Sequence, residues 1–342
     1  MKYSIGYQLP DEYTSTLELC SDYSEHISDV FFAFGNEPSG RFPLGRAEER
    51  ECIERQQLYE LGEIKKLGKK LTLLLNANCY GKDSASKGLR DHIIALCTKL
   101  YENIGIDAVT TASPFVANIL KNEFGESIKI KASVNMRIGS TKAMRQLSDS
   151  FDGFYRKKEL NRNLKAIKEL KDWCDENGKE LYMLANSGCI TDCAFQTFHD
   201  NLIAHQTYED IQESFDVGFP APCHKYIKSL GLTAGICEFL GSGFIRPEEI
   251  HLYENYFSEI KLATRMHSRQ TLVISAYCRG KFRGNLLDLT EPSYSSLFSG
   301  YILDNTRITE DQFSKLMGCD HKCENCGMCY RITKNALIKT DY

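Results

Sequence analysis

The stretch AEERECIERQQLYELGEIKKLGKKLTLLLN (47–76) contains the unit from which the rest of the chain is assembled. Residues 47–67 place apolar side chains at helical spacing, Gly68 closes the run, and KLTLLLN (70–76) is a short apolar segment of strand length. Reading outward, the same alternation recurs. Strand candidates are KYSIGYQ (2–8), DVFFAF (29–34), KLTLLLN, DAVTT (107–111), IKIKASVN (128–135), DGFYR (152–156), ELYMLAN (180–186) and SEIKLAT (258–264). Helical segments at 88–104 and 160–177 lie between them and end on Gly105 and Gly178. Eight strands alternating with helices predict an α/β fold, a (β/α)8 TIM-type barrel. An open doubly wound sheet is the alternative, but no GxGxxG turn follows the first strand, so a dinucleotide-binding sheet has no local support.

The alternation breaks once, after the seventh strand, where residues 187–257 replace a short connection. This insertion carries Cys189 and Cys193 in NSGCITDC, Cys223 in PAPCHKY and Cys237 in GICEFLG. Loops that follow the strands of a barrel line its catalytic face, so the four are expected over the pocket. Packing thiols are the plain alternative. A second group, Cys319, Cys323, Cys326 and Cys329, lies in CDHKCENCGMC near the C-terminus. Thiolates this dense predict a 4Fe-4S cluster, one or two in the whole chain. Zinc is the alternative metal, although zinc ligands are more often split into two knuckles about 12 to 20 residues apart. Cys319, Cys323 and Cys326 also spell the CxxxCxxC of radical S-adenosylmethionine enzymes. That triad belongs near a first strand, and here Cys329 is available to close the site. The expected division is a barrel over 1–290 with its insertion, then a cysteine-rich segment over 291–342 that starts near EPSYSSLFSG (291–300).

The chain has 342 residues and 14 cysteines, and its formal net charge is −4. No global basic field points to nucleic acid. No leader or membrane span is read, so a cytoplasmic protein is expected, in which thiols serve as ligands, core groups or reactive groups rather than disulfides.

The blocks NSGCITDCAF (186–195), FIRPEEI (244–250), YFSEIKLATR (256–265) and AYCRGKFRGNLLDL (276–289) resemble, in this order, the collagenase-like peptidases of family 32. The resemblance implies a barrel. It also implies either a peptidase or an oxygen-independent, iron-sulfur hydroxylase, with Cys189 and Cys193 matching the family's cysteine pair and Cys223 and Cys237 as its completion. The C-terminal cysteine run departs from the hydroxylase pattern.

For substrate, residues just after the strands are the candidates: Asn36, Asn78, Cys79, Arg137, Arg156 and Arg265, with Cys79, Arg137 and Arg265 put forward as catalytic. Arginines converging on one pocket would suit a carboxylate-bearing organic substrate. His199 and His205 are six apart and cannot share one helix face, there is no HExxH or GxSxG, and His224 is read as a neighbour of Cys223. The expected function is iron-sulfur redox or hydroxylation chemistry, an oxidoreductase with a protein electron donor as a candidate partner. The alternatives are a peptidase and an electron-transfer or binding module.

Overall fold

The computed structural model describes residues 1–40, 49–205, 222–319 and 321–340. Eight parallel strands close into a barrel in sequence order: β1 Lys2–Gly6, β2 Ile27–Phe32, β3 Lys70–Leu75, β4 Ala108–Thr111, β5 Lys129–Ala132, β6 Gly153–Tyr155, β7 Glu180–Leu184 and β8 Glu259–Lys261, which returns to β1. The TIM-type barrel read from the alternation is the fold. Helices such as Arg50–Lys66, Lys87–Ile104 and Leu164–Glu176 form the outer ring; residues 47 and 48 of the expected first helix lie outside the described residues. Gly68, Gly105 and Gly178 do end their helices with positive φ, a conformation that side chains with a Cβ resist.

Two strands are shorter than their apolar runs. β5 stops at Ala132 because Ser133 accepts a hydrogen bond from the Asn135 amide and turns the chain into a 3-10 turn. β6 stops at Tyr155, where Arg156 turns away from the bore. Outward-facing residues such as Ile5, Val30, Leu73, Ile130 and Ile260 are fully or almost fully buried beneath the helices and make the main core.

The inward-facing residues are unusually polar for a barrel bore, which more often holds branched apolar side chains. Asp29 accepts from the Ser4 hydroxyl and, at 2.5 Å, from Thr72, while Lys131 donates to Thr72 at 3.2 Å and lies 4.0 Å from Asp29. Burial opposes the Lys131 charge, yet Asp29 and Glu259 outweigh it and raise the pKa. Among the described residues Lys261 has no such neighbour in bonding range. Its ammonium lies 3.7 Å above the Phe31 ring, and burial drives its pKa down to about 7 against the pull of Asp29, with repulsion from Arg265 and Lys131.

A lysine titrating lower in the folded chain than in the unfolded one makes stability rise with pH between the two values, here from about 7 to about 10.5, because only the unfolded chain keeps the proton there. Lys261→Met is therefore expected to stabilise the protein by about 1–3 kcal/mol at pH 6.5. The gain should shrink as pH approaches 10. Urea midpoints of both proteins at pH 6.5 and 9.5 check this, and an equal difference at the two pH values would contradict it.

Beyond the barrel, β9 Tyr301–Leu303 pairs antiparallel with β10 Leu337–Lys339, and this small sheet holds the C-terminal segment together. No described helix is long and apolar enough to cross a membrane.

Candidate functional site

The C-terminal ends of β5 to β8 open into a cavity of about 410 Å³. That volume suits a small organic ligand. Its position follows from the strand after which the insertion enters. At the end of β7, Asn186 is fully buried; its amide donates to the carbonyls of Ala263 and Leu289 and accepts from the Ala263 amide at 2.6 Å. The next residues are pinned to the start of the C-terminal segment. Ser187 forms a bridge with Glu291, the Gly188 amide donates to the Glu291 carbonyl at 2.9 Å, and the Tyr294 hydroxyl donates to the Gly188 carbonyl at 2.6 Å. No side chain fits at Gly188, since a Cβ there would overlap the Pro292 carbonyl and stand 2.8 Å from the Thr290 hydroxyl.

Held this way, Cys189 and Cys193 face the cavity, and Cys223 and His224 reach it from the helix Pro222–Ser229. Cys223 senses the other two thiols. Burial first, and then the negative charge of Cys189 and Cys193, pushes the Cys223 thiol up to about 11. Burial also lowers the His224 pKa, with Lys228 and His199 adding repulsion, so the imidazole is neutral at pH 7. His199, from the helix Gln196–His205, lines the same cavity.

The opposite wall belongs to β8. His267 Nε2 lies 2.8 Å from the Asp288 carbonyl oxygen and carries the proton, while Nδ1 accepts from the Arg269 amide at 3.0 Å, so both ring nitrogens are engaged. Lys158 enters after β6, largely buried, and donates to the Gln196 side chain at 3.3 Å. Among the described lining residues it is the one lysine or arginine.

The substrate candidates read after the strands do not gather here. Arg137 is exposed, in a left-handed conformation at the end of the 3-10 turn after β5. Arg265 is buried beside β1 and donates to the Ser39 hydroxyl at 3.2 Å, and Cys79 is half-buried and accepts from the Gly81 amide. Arg156 points outward, between barrel and helices, 5.4 Å from the Phe257 ring, with one nitrogen on Asn161 and with Nε and Nη2 unpaired among the described residues; burial takes its pKa down to about 10. The expected pocket of converging arginines is therefore replaced by one lysine, three cysteines and three histidines. His267 and Glu291 are not among the candidates read from the sequence, and His199 is read there only as unable to pair with His205. Their signal was position, since His267 follows β8 as Cys189 follows β7.

Cys237 also departs from its expected group. It sits on the helix Leu232–Gly241, where its sulfur lies 3.7 Å from the Thr333 hydroxyl on the helix Met328–Ala336. That helix bears Cys329. The insertion cysteines thus divide, three at the cavity and one against the C-terminal segment. Among the described residues no three His, Cys, Asp or Glu side chains yet stand in position around one ion. The donors at the mouth are thiols and imidazoles, ligands of the kind thiophilic metals take.

No family model matches the chain. An uncharacterized protease of Methanocaldococcus jannaschii is 25% identical over 293 residues, which span 81% of this chain and 80% of that protein. Among solved structures, the U32 peptidase Mk0906 superposes with a TM-score of 0.54 at 14% identity, covering 77% of this chain and 92% of its own, a likeness of fold alone. The protease relative is in line with the resemblance to the collagenase-like peptidases of family 32 read from the sequence, and the solved structure shares the barrel fold.

Proposed function

We propose that the cavity is the active site of an iron-sulfur enzyme acting on a small organic substrate by oxygen-independent redox or hydroxylation chemistry. What carries the reading is the convergence of Cys189, Cys193 and Cys223, from two separate parts of the insertion, on one cavity over the catalytic face of the barrel. A cluster bound there supplies one-electron transfer or an open iron position. Three cysteines leave a fourth place for His224, His199 or substrate.

The remaining residues define what the chain does. Lys158 offers a largely buried ammonium to a substrate carboxylate, in place of the expected arginines. His224, neutral at pH 7, can exchange a proton with a substrate group in the cavity. His267 has no nitrogen to spare and holds the wall in position through Asp288 and Arg269. The peptidase alternative rests on the names of relatives. A cysteine peptidase needs a thiol activated by a lowered pKa, and at Cys223 burial and its thiol neighbours push the pKa the other way.

Anaerobic purification followed by iron, sulfide and electron paramagnetic resonance measurements tests the reading. Iron and sulfide in equal amounts with a reducible paramagnetic signal are expected. Protein that lacks iron and sulfide and hydrolyses peptides would establish the peptidase instead.

A further inference from the structure

Five cysteines lie away from the cavity, in and against the C-terminal segment. Cys319, Cys323, Cys326 and Cys329 come from that segment, and Cys237, from the insertion, packs against the helix that bears Cys329. The contact is specific. The helix Leu232–Gly241 packs on the helix Met328–Ala336, the Cys237 sulfur meets the Thr333 hydroxyl, and that hydroxyl donates to the Cys329 carbonyl at 2.8 Å. Cys329 precedes Thr333 by one helical turn, so Cys237 and Cys329 flank the same hydroxyl. Gly327, in a left-handed conformation, makes the bend that brings Cys326 and Cys329 onto neighbouring helices.

A second observation points to an anionic occupant. The Arg162 guanidinium is almost wholly buried, stacked against Phe244 and Phe313 at 5.1 and 5.0 Å. Its hydrogen bonds go to carbonyl oxygens, Leu240 at 2.6 Å and Phe244 at 2.9 and 3.2 Å, and among the described residues no carboxylate pairs with it. Carbonyls satisfy its N–H groups but do not cancel its charge, and a buried unpaired cation is costly. The groups that face it electrostatically are Cys329, Tyr253, Cys319 and Glu249, and the Arg162 carbonyl accepts from the Gly318 amide beside Cys319. Neutral thiols cannot offset a guanidinium. Thiolates around an iron-sulfur core carry net negative charge and can.

We infer that the chain holds a second thiolate-ligated 4Fe-4S cluster, bound by Cys237 together with three of the C-terminal cysteines, Cys329 among them, and charge-balanced by Arg162. Cys237 thereby joins the insertion to the C-terminal segment through metal. The site is independent of the one proposed at the cavity mouth, and the experiment separates them.

Iron and sulfide are measured on anaerobically purified Cys189→Ala, Cys237→Ala, Cys329→Ala, the Cys237→Ala/Cys329→Ala double variant, and Cys189→Ala combined with Cys237→Ala. Cys237→Ala and Cys329→Ala should each lose about four iron and four sulfide, and the double variant no more than either. Combining Cys189→Ala with Cys237→Ala should lose the sum if the mouth also holds a cluster, and the Cys237→Ala loss alone if it does not. Unchanged iron in Cys237→Ala, or zinc in place of iron, overturns the inference, as does a loss shared with Cys189→Ala. Because a variant can fail to fold, the wild-type protein is also alkylated with iodoacetamide before and after cluster removal and read by mass spectrometry. Cys237 should label at least tenfold more slowly with the cluster present, and equal labelling overturns the assignment. Arg162→Gln should shift the reduction potential of this cluster to a lower value without changing the spectrum of the mouth cluster; no shift would remove Arg162 from the site.

Discussion

Serine in place of both Cys189 and Cys193 is expected to empty the mouth of the barrel, removing about four iron and four sulfide per chain and abolishing turnover of any substrate the cavity accepts. A serine oxygen is a harder donor and stays protonated near neutral pH, so it is a poor substitute for thiolate on iron. The fold should persist. Cys193 only packs against the edge of the main core, and the loop that bears Cys189 and Cys193 is fixed by backbone bonds from Gly188 and by Asn186, which the substitutions leave in place. Circular dichroism should therefore match the parent while the visible absorption falls. If iron content and spectrum stayed at parental values, the mouth would not be a cluster site and the proposed chemistry would have no seat.

The barrel was legible because each strand is a short apolar run bounded by a glycine or a helix, and parallel strands buried on both faces need such runs. The strand register also contained information that the site reading did not use. Side chains alternate along a strand, so with Tyr155 stacked on Tyr182 at 4.9 Å inside the bore, Arg156 must face the helices. Arg137 was misplaced for a different reason. The run IKIKASVN looked continuous, but Ser133 caps a turn within it and the arginine ends up outside.

The division of the cysteines was not legible at all. Cys223 and Cys237 are 14 residues apart on two successive helices, and which one faces the cavity depends on how the second packs against a helix about 90 residues later. Long-range packing of that kind leaves no local pattern. The same holds for Arg162, whose side chain reads as an ordinary polar residue before the helix Leu164–Glu176 and proves to be buried among carbonyls and aromatic rings of the insertion and the C-terminal segment.

The largest stability loss is expected at Arg246, a residue of the FIRPEEI block. Its guanidinium forms a buried ion pair with Glu249, donates to the Asn305 side chain at 3.1 Å and the Ile308 carbonyl at 3.2 Å, and lies 4.5 Å from the Phe313 ring. Through it the insertion and the C-terminal segment share one polar centre. Asn305 extends the network to Glu248 and to the Phe282 carbonyl, both at 2.9 Å. Arg246→Ala removes four donors and leaves Glu249, whose pKa burial already raises against the pull of Arg246, without its counter-charge. A cost of about 3–5 kcal/mol is expected. Replacing the pair together, Arg246→Met with Glu249→Met, should recover a large part of it, because no charge is then stranded in the interior. Glu249→Gln alone should fall between, since it keeps an acceptor but leaves the arginine charge unopposed. Urea midpoints of the four proteins, measured anaerobically with clusters intact, order these outcomes. A loss below about 1 kcal/mol for Arg246→Ala would place the ion pair among interactions that merely fill space. A loss as predicted, accompanied by faster alkylation of Cys237, would tie the polar centre to the thiols that lie beyond Phe313 and Arg162.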